Sequence, residues 1–335
     1  MAETKIIATI GPASEDLQVM TSLVQAGADI FRLNLSHGSR SWHESTIEKI
    51  ASLKSNVQIW LDTRGPEMRL GDFSGQVEIA ENEVFQLTCQ QDNLSLGKEK
   101  RIPVSFQNFC RCVRLGDRVA IDEGFLFAKV ESVDRDFVTC RALNAWHLSA
   151  RRHVNLPGER IDLPTVGTQD QADLQHFSEN ENVDAFALSF LRTAADLEKA
   201  RKFSGKKLIA KIENFEGVEN LQQIAQTADG IMVARGDLGV EMSFEKVPVL
   251  QRKILHAANE QGKFSVVATG MLQSMITSPV PARAEISDIA TAVWEGADGL
   301  MLSGETAIGN FPVQAVTTLK RTIEFARKNQ DGIVL

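Results

Sequence analysis

The chain has 335 residues, of which 43% are hydrophobic and 24% charged, with a formal net charge of −8. This suits a large core in two domains, or one barrel with an insertion, and argues against a general nucleic-acid surface. No apolar run approaches the roughly 20 residues of a membrane span, the N-terminus has no signal-peptide pattern, and four cysteines are too few and irregular for a disulfide scaffold, so a reducing cytoplasm is the simplest compartment.

Strand-like and helix-like runs alternate from the start. Lys5–Ile10 reads as a strand closed by Gly11-Pro12, Leu17–Gln25 as a helix, Ile30–Asn34 as a second strand, Ser41–Leu53 as a helix and Val57–Asp62 as a third strand. The rhythm then changes. Short alternating runs, among them Val84–Cys89, Arg118–Ile121, Phe125–Val130 and Phe137–Ala142, are broken by Gly116-Asp117 and Glu123-Gly124. This predicts a small β-rich domain over residues 70–155, inserted after the third strand and holding Cys89, Cys110, Cys112 and Cys140. Cys110-x-Cys112 has no second pair to complete a zinc site. Alternation resumes with strands at Ala185–Phe190, Lys207–Glu213, Gly230–Ala234, Phe264–Thr269 and Gly299–Ser303, each followed by a helical run. Eight strand–helix pairs fit a (β/α)8 TIM barrel, an α/β fold, built from residues 1–69 and 156–335. A doubly wound sheet is the alternative, but it leaves strands surplus.

In such a barrel, functional groups lie at the C-terminal ends of strands. There the sequence offers Arg32, Asn34 and Ser36, then Asp62-Thr63, Ser189, Lys211 with Glu213, Arg235-Gly236-Asp237, Thr269, and Ser303-Gly-Glu305. Taken alone, Lys211 and Glu213, on one face at i and i+2, are equally a structural ion pair. Seven strands delivering polar groups to one rim favour function. Glu213 and Asp237 suit one hard divalent cation such as Mg2+. The turn Gly236-Asp-Leu-Gly239 offers backbone amides to an anion, with Arg32, Lys211 and Arg69 as cations nearby. Only His37, in a loop, supplies a histidine, which argues against Ser–His or Cys–His catalysis. The parts are those of phosphoryl transfer. No Walker or dinucleotide-binding loop is present.

Nine ordered segments resemble the pyruvate kinase family. They are Thr4-Lys-Ile-Ile-Ala-Thr-Ile-Gly-Pro-Ala-Ser14, Arg32-Leu-Asn-Leu-Ser-His-Gly38, Leu61-Asp-Thr-Arg-Gly-Pro-Glu-Met-Arg69, Val154-Asn-Leu-Pro-Gly158, Ile209-Ala-Lys-Ile-Glu-Asn214, Ala234-Arg-Gly-Asp-Leu-Gly239, Ala268-Thr-Gly-Met-Leu272, Arg283-Ala-Glu-Ile-Ser-Asp288 and Met301-Leu-Ser-Gly-Glu-Thr306. The resemblance implies transfer of phosphate from phosphoenolpyruvate to ADP, giving pyruvate and ATP, with Mg2+ (or Mn2+) and K+. It implies that Lys211 neutralises the phosphoryl group and the enolate, that Arg32 bridges the phosphate, and that Thr269 is linked to enolpyruvate protonation. Ser189, Gly236, Asp237 and Thr269 would bind substrate, and Glu213 and Asp237 would hold Mg2+. Asn34, Ser36, Asp62 and Thr63 would hold K+, with Glu67 marking a K+ requirement. Asn34, Ser36, His37, Arg69 and Arg152 would serve the nucleotide, and Asp122-Glu-Gly124 would be the lid turn. The segment 271–288 resembles a barrel-to-barrel interface, implying a homodimer.

The chain departs from the family pattern in the insertion. Arg152 stands where a lysine is usual, His153 where glycine is, Ala145-Trp146 where Gly-Gly is, and Gly270 where glutamine is. The usual C-terminal regulatory domain has no counterpart in this sequence, so its allosteric control is expected to be missing. Trp42, Trp60, Trp146 and Trp294 are expected to anchor core or interface. Two rival readings are a metal-dependent lyase or enolate-forming enzyme on pyruvate-like acids, and a catalytically impaired regulatory paralogue.

Overall fold

The computed structural model describes residues 3–90, 94–97, 99–158 and 163–330. The expected end of the barrel at 335 lies outside them. Eight strands, β1 (Lys5–Thr9), β2 (Ile30–Asn34), β3 (Gln58–Asp62), β4 (Ala185–Leu188), β5 (Lys207–Ile212), β6 (Gly230–Ala234), β7 (Phe264–Ala268) and β8 (Gly299–Leu302), form one sheet. It closes in the order β1-β8-β7-β6-β5-β4-β3-β2, with every neighbouring pair parallel. The strands are apolar along their middles because helices cover one face and the barrel interior takes the other. All residues of β4, β6 and β8 are buried.

The interior is a packed core. Ile7, Ile30, Trp60, Ile209, Met232 and Met301 meet there, and Trp60 sits edge-on to Phe264 with centroids 5.8 Å apart. Side chains alternate along a strand, so the residue two places on shares the same face. Thr9, Arg32, Asp62 and Lys211 therefore follow Ile7, Ile30, Trp60 and Ile209 up the same wall. The barrel becomes polar at one end by periodicity alone.

Caps set where the helices begin. Asp16 accepts from the Gln18 amide, Ser39 from the Trp42 amide, and Asn214, directly after Glu213, from the Gly217 amide at 2.8 Å. The expected helix over 217–227 is two pieces, Phe215–Glu219 and Leu221–Thr227. A Cβ on Gly217 would stand 2.7 Å from the Leu191 carbonyl oxygen, so the first piece is pressed against neighbouring backbone. Among the described residues no helix is long and apolar enough to cross a membrane.

His43 is buried and its Nε2 donates to the His37 carbonyl at 2.8 Å. Burial holds its pKa below the ordinary histidine value. The unfolded chain therefore takes up this proton first as pH falls. The stability it contributes is present above the unfolded pKa of about 6.5 and is lost as pH drops toward the folded pKa. Urea melts at pH 7 and pH 5.5 check this: the wild-type midpoint is expected to fall more than that of His43→Gln, and equal falls would contradict it.

Residues 66–164 with 239–245 form a second compact unit. Its larger sheet runs Val154–Asn155, Arg118–Ile121, Leu126–Val133, Phe137–Ala142, Val84–Thr88, Lys100–Pro103 and Ser95–Leu96. Gln76–Ile79 pairs separately with Trp146–Ser149. Phe85, Leu87, Ile102, Phe109 and Val119 lie in its core. The strand expected from Phe125 starts at Leu126, because the Phe125 amide closes a turn on the Asp122 carbonyl at 3.0 Å. Asp122, Glu123 and Gly124 all have positive φ in that turn.

Candidate active site

Three strand ends of the barrel, β2, β3 and β5, bring their charges into one cluster, joined by hydroxyls from β1 and the end of β4. Lys211 Nζ donates to Asp62 Oδ1 at 2.9 Å and to Ser189 Oγ at 2.7 Å, and lies 3.0 Å from Glu213 Oε1. Arg32 Nε donates to Asp62 Oδ2 at 2.7 Å and its Nη1 to Thr9 Oγ1 at 3.1 Å. Ser189 Oγ donates to the Thr63 carbonyl at 2.7 Å, and the Ser189 amide donates to Thr63 Oγ1 at 3.0 Å. Asp62, Thr63, Ser189, Lys211 and Glu213 are all buried, as is Arg32.

Buried charges must be paired, and the pairing here is uneven. Burial alone would lower the Lys211 pKa, but Asp62 and Glu213 outweigh it and raise it, so the cation is firmly held. Burial would raise Asp62, but Arg32 and Lys211 hold it below the ordinary carboxylate range. Glu213 goes the other way: burial pushes its carboxyl up, against the pull of Lys211. Its Oε2 accepts from the Phe190 amide at 2.5 Å. Its Oε1 is ion-paired with Lys211 Nζ at 3.0 Å and has no further hydrogen bond among the described residues. A carboxylate held by one amide and one lysine keeps lone pairs that a cation could take.

Asp237 lies close enough for its charge to act on Lys211. It does not sit in a turn, as the sequence reading expected, but in the first turn of a helix, Arg235–Met242. The positive end of the helix dipole lies at this terminus, and its Gly236 amide is taken by Thr269 Oγ1. Among the described residues no group of three or more His, Cys, Asp or Glu side chains is placed to hold a metal. Glu213 and Asp237 are the carboxylates that could hold a cation here, one that would take its remaining oxygens from water and substrate, the habit of Mg2+. The K+ set is also all oxygen. Asn34 pairs in register with Asp62 across β2 and β3, and Asn34 Oδ1 accepts from the Ser36 amide at 3.1 Å.

Thr269 is strained into place. Its φ is +69°, a conformation costing about 1–3 kcal/mol for a residue with a side chain. Arg235 holds it there, donating to the Thr269 carbonyl through Nη2 at 2.7 Å while its Nη1 binds Asp288 at 2.7 Å. Thr269 Oγ1 donates to the Ala268 carbonyl at 2.6 Å and accepts from the Gly236 amide at 2.8 Å. A Cβ on Gly236 would meet nothing nearer than Thr269 Oγ1 at 3.6 Å. Protein packing does not require glycine there, which leaves room for a ligand to approach the backbone. Phe190, whose amide reaches Glu213, is a second rim residue with positive φ, +53°.

His37 is exposed at the end of β2, with its amide donating to the Asn34 carbonyl at 3.1 Å. Arg69 and Arg152 belong to the second unit. Arg69 Nε donates to Glu67 Oε2 at 2.8 Å, and His153 Nε2 lies 3.5 Å from Glu67 Oε1. Arg152 pairs with Asp122 at 3.4 Å. Trp146 packs at the edge of that unit's core and stacks on Phe125 at 4.6 Å. Its indole N–H donates to Asp122 Oδ2 at 2.9 Å.

Sequence reasoning missed Thr9, the Phe190 amide and the Arg235–Asp288 clamp. Thr9 was findable as a polar strand end. The other two depend on contacts distant in sequence, or on backbone conformation. Glu305, just past the end of β8, is buried and accepts from the Leu272 and Ser303 amides at 3.0 and 2.8 Å, and so braces the rim loops.

A family model described as "Pyruvate kinase, barrel domain" matches residues 1–316. The chain belongs to the pyruvate kinase family. It is 42% identical to a pyruvate kinase of Leishmania mexicana over 328 residues, covering 95% of this chain and 66% of that protein. It is 42% identical to human pyruvate kinase PKLR over 332 residues, covering 93% of this chain and 58% of that protein. A crystal structure of a pyruvate kinase from Cryptosporidium parvum superposes with a TM-score of 0.91 at 38% identity, over 98% of this chain and 70% of that one. The chain thus spans about two thirds or less of the length of these curated pyruvate kinases.

Proposed function

We propose that this chain transfers the phosphoryl group of phosphoenolpyruvate to ADP, giving pyruvate and ATP, with Mg2+ and K+. The observation that carries the reading is the buried Lys211 cation, fixed by Asp62 and Ser189 and paired at 3.0 Å with Glu213. Family membership supports it.

In the reaction an ADP phosphate oxygen bonds the phosphorus as the bridging P–O bond of phosphoenolpyruvate breaks. The enolate left behind takes a proton at its methylene carbon. Lys211 stays charged throughout and faces both the transferring phosphoryl oxygens and the enolate oxygen. A preorganised charge at that point stabilises the transition state without reorganisation. Arg32, immobilised by Asp62 and Thr9, presents a second fixed cation to the phosphoryl group. The N-terminal end of the helix Arg235–Met242, whose Gly236 amide fixes Thr269 Oγ1, would receive the carboxylate or phosphate through its dipole. Thr269, its hydroxyl proton committed to Ala268, orients the water that delivers the proton. Mg2+ (or Mn2+) at Glu213 and Asp237 would polarise a phosphoryl oxygen, while K+ at Asn34, Ser36, Asp62 and Thr63 would add positive charge.

A coupled assay with phosphoenolpyruvate, Mg2+ and K+, with and without ADP, tests this. ADP-dependent pyruvate is expected. Proton exchange into pyruvate without ADP turnover would favour the enolate-forming alternative, and bound ligand with neither activity the regulatory one.

On this reading Arg152 serves the nucleotide phosphates, and Trp146 helps aim it by holding Asp122. Trp146→Phe keeps a ring on Phe125 but removes the indole N–H. The KM for ADP is expected to rise about 2- to 10-fold, the worth of one hydrogen bond, with kcat and the KM for phosphoenolpyruvate within about twofold. An equal rise in both KM values in steady-state kinetics would contradict the assignment.

A further inference from the structure

We infer that Cys89 and Cys110 form a redox-responsive pair in the second unit, closed to a disulfide by a hydroperoxide oxidant. Cys89 directly follows the strand Val84–Thr88, and Cys110 lies in the short helix Phe109–Cys112. Their sulfurs stand 2.8 Å apart as free thiols, already near the bonded length of about 2.05 Å. Both ends are held. The Val104 amide donates to the Thr88 carbonyl at 2.8 Å, Thr88 Oγ1 donates to the Asp136 carbonyl at 2.9 Å, and the Phe109 amide donates to the Phe106 carbonyl at 3.0 Å. The bond would therefore close with little backbone movement.

The other two cysteines are placed differently. Cys112 is two residues from Cys110 on the same helix, a spacing that turns the side chains apart. Cys140 is fully buried in the sheet, with its thiol directed at the Val138 carbonyl at 3.9 Å. Cys110 is buried beside Cys89, which is only half-buried. Cys89 is thus the sulfur that meets the oxidant and Cys110 the one that resolves it.

The chemistry balances. Cys89 sulfur attacks one peroxide oxygen; an S–O bond forms, the O–O bond breaks and water leaves, giving a sulfenic acid. Cys110 sulfur then attacks Cys89 sulfur; the S–S bond forms, the S–O bond breaks and a second water leaves. Two thiols lose two electrons and one hydrogen peroxide becomes two waters. The cross-link would tie the strand end to the helix and restrict the unfolded chain, raising the thermal midpoint.

The test is native oxidation of the whole protein with hydrogen peroxide, followed by thiol counting in denaturant, non-reducing peptide mapping and thermal melting. The expected result is a drop from four titratable thiols to two, one Cys89–Cys110 peptide lighter by two hydrogens, and a raised midpoint, all reversed by dithiothreitol. Cys112→Ser should still form the link. Cys110→Ser should lose both the link and the midpoint shift. A Cys89–Cys112 or Cys110–Cys112 link, or sulfinic acid on Cys89 with Cys110 still a thiol, would overturn the inference. The mapping on wild type and Cys112→Ser decides it even if Cys110→Ser fails to fold.

Discussion

Replacing Lys211 with methionine is expected to lower kcat roughly 1,000-fold or more and to destabilise the fold by about 3–5 kcal/mol. Both follow from the same geometry. Lys211 Nζ sits among Asp62, Ser189 and Glu213, all buried. Methionine fills the space but removes the charge. Asp62 keeps Arg32 as a partner, whereas Glu213 loses its paired cation and retains only the Phe190 amide. On the proposed reaction, the chemical step would lose the cation that faces the developing enolate. Steady-state kinetics and urea unfolding measure the two effects separately, and Mn2+ binding to the variant should remain. Wild-type turnover in a correctly folded Lys211→Met protein would refute the role given to Lys211.

Glu213→Gln should separate what Lys211→Met combines. The amide oxygen can still accept from Phe190, and burial already disfavours the Glu213 charge. Stability should therefore change by no more than about 1 kcal/mol. Lys211 keeps Asp62 and Ser189. What disappears is the anionic oxygen paired with Lys211. Divalent-cation affinity is expected to fall at least about 100-fold, with activity falling alongside and partly recovered at high Mg2+. Calorimetric titration with Mn2+ reads the affinity directly. An unchanged dissociation constant would mean that the cation is held elsewhere.

The barrel was legible because each strand is an apolar run with a polar end, and the closed parallel order follows from the regular alternation. The site was legible for the same reason: Lys211 and Asp62 lie at strand ends, so periodicity places them on one face. What each touches was not legible. Asp62 read as a K+ ligand, yet its two oxygens also bind Arg32 and Lys211, contacts that span 30 and 149 positions. Glu305 read as a rim group, and there it braces the Leu272 and Ser303 amides, partners that nothing in its local sequence tells. Gly236-Asp237 read as a turn because glycine signals one, but packing makes it the start of a helix. The Cys89–Cys110 approach had no sequence signal, since irregular spacing says nothing about two elements meeting in space.

The most direct measurement is phosphorus NMR on the purified chain with phosphoenolpyruvate, ADP, Mg2+ and K+. The resonance of phosphoenolpyruvate should decay as the γ-phosphate of ATP grows in equal amount, and Lys211→Met should show neither change. Release of inorganic phosphate instead of ATP, or an equal rate with Lys211→Met, would contradict the account.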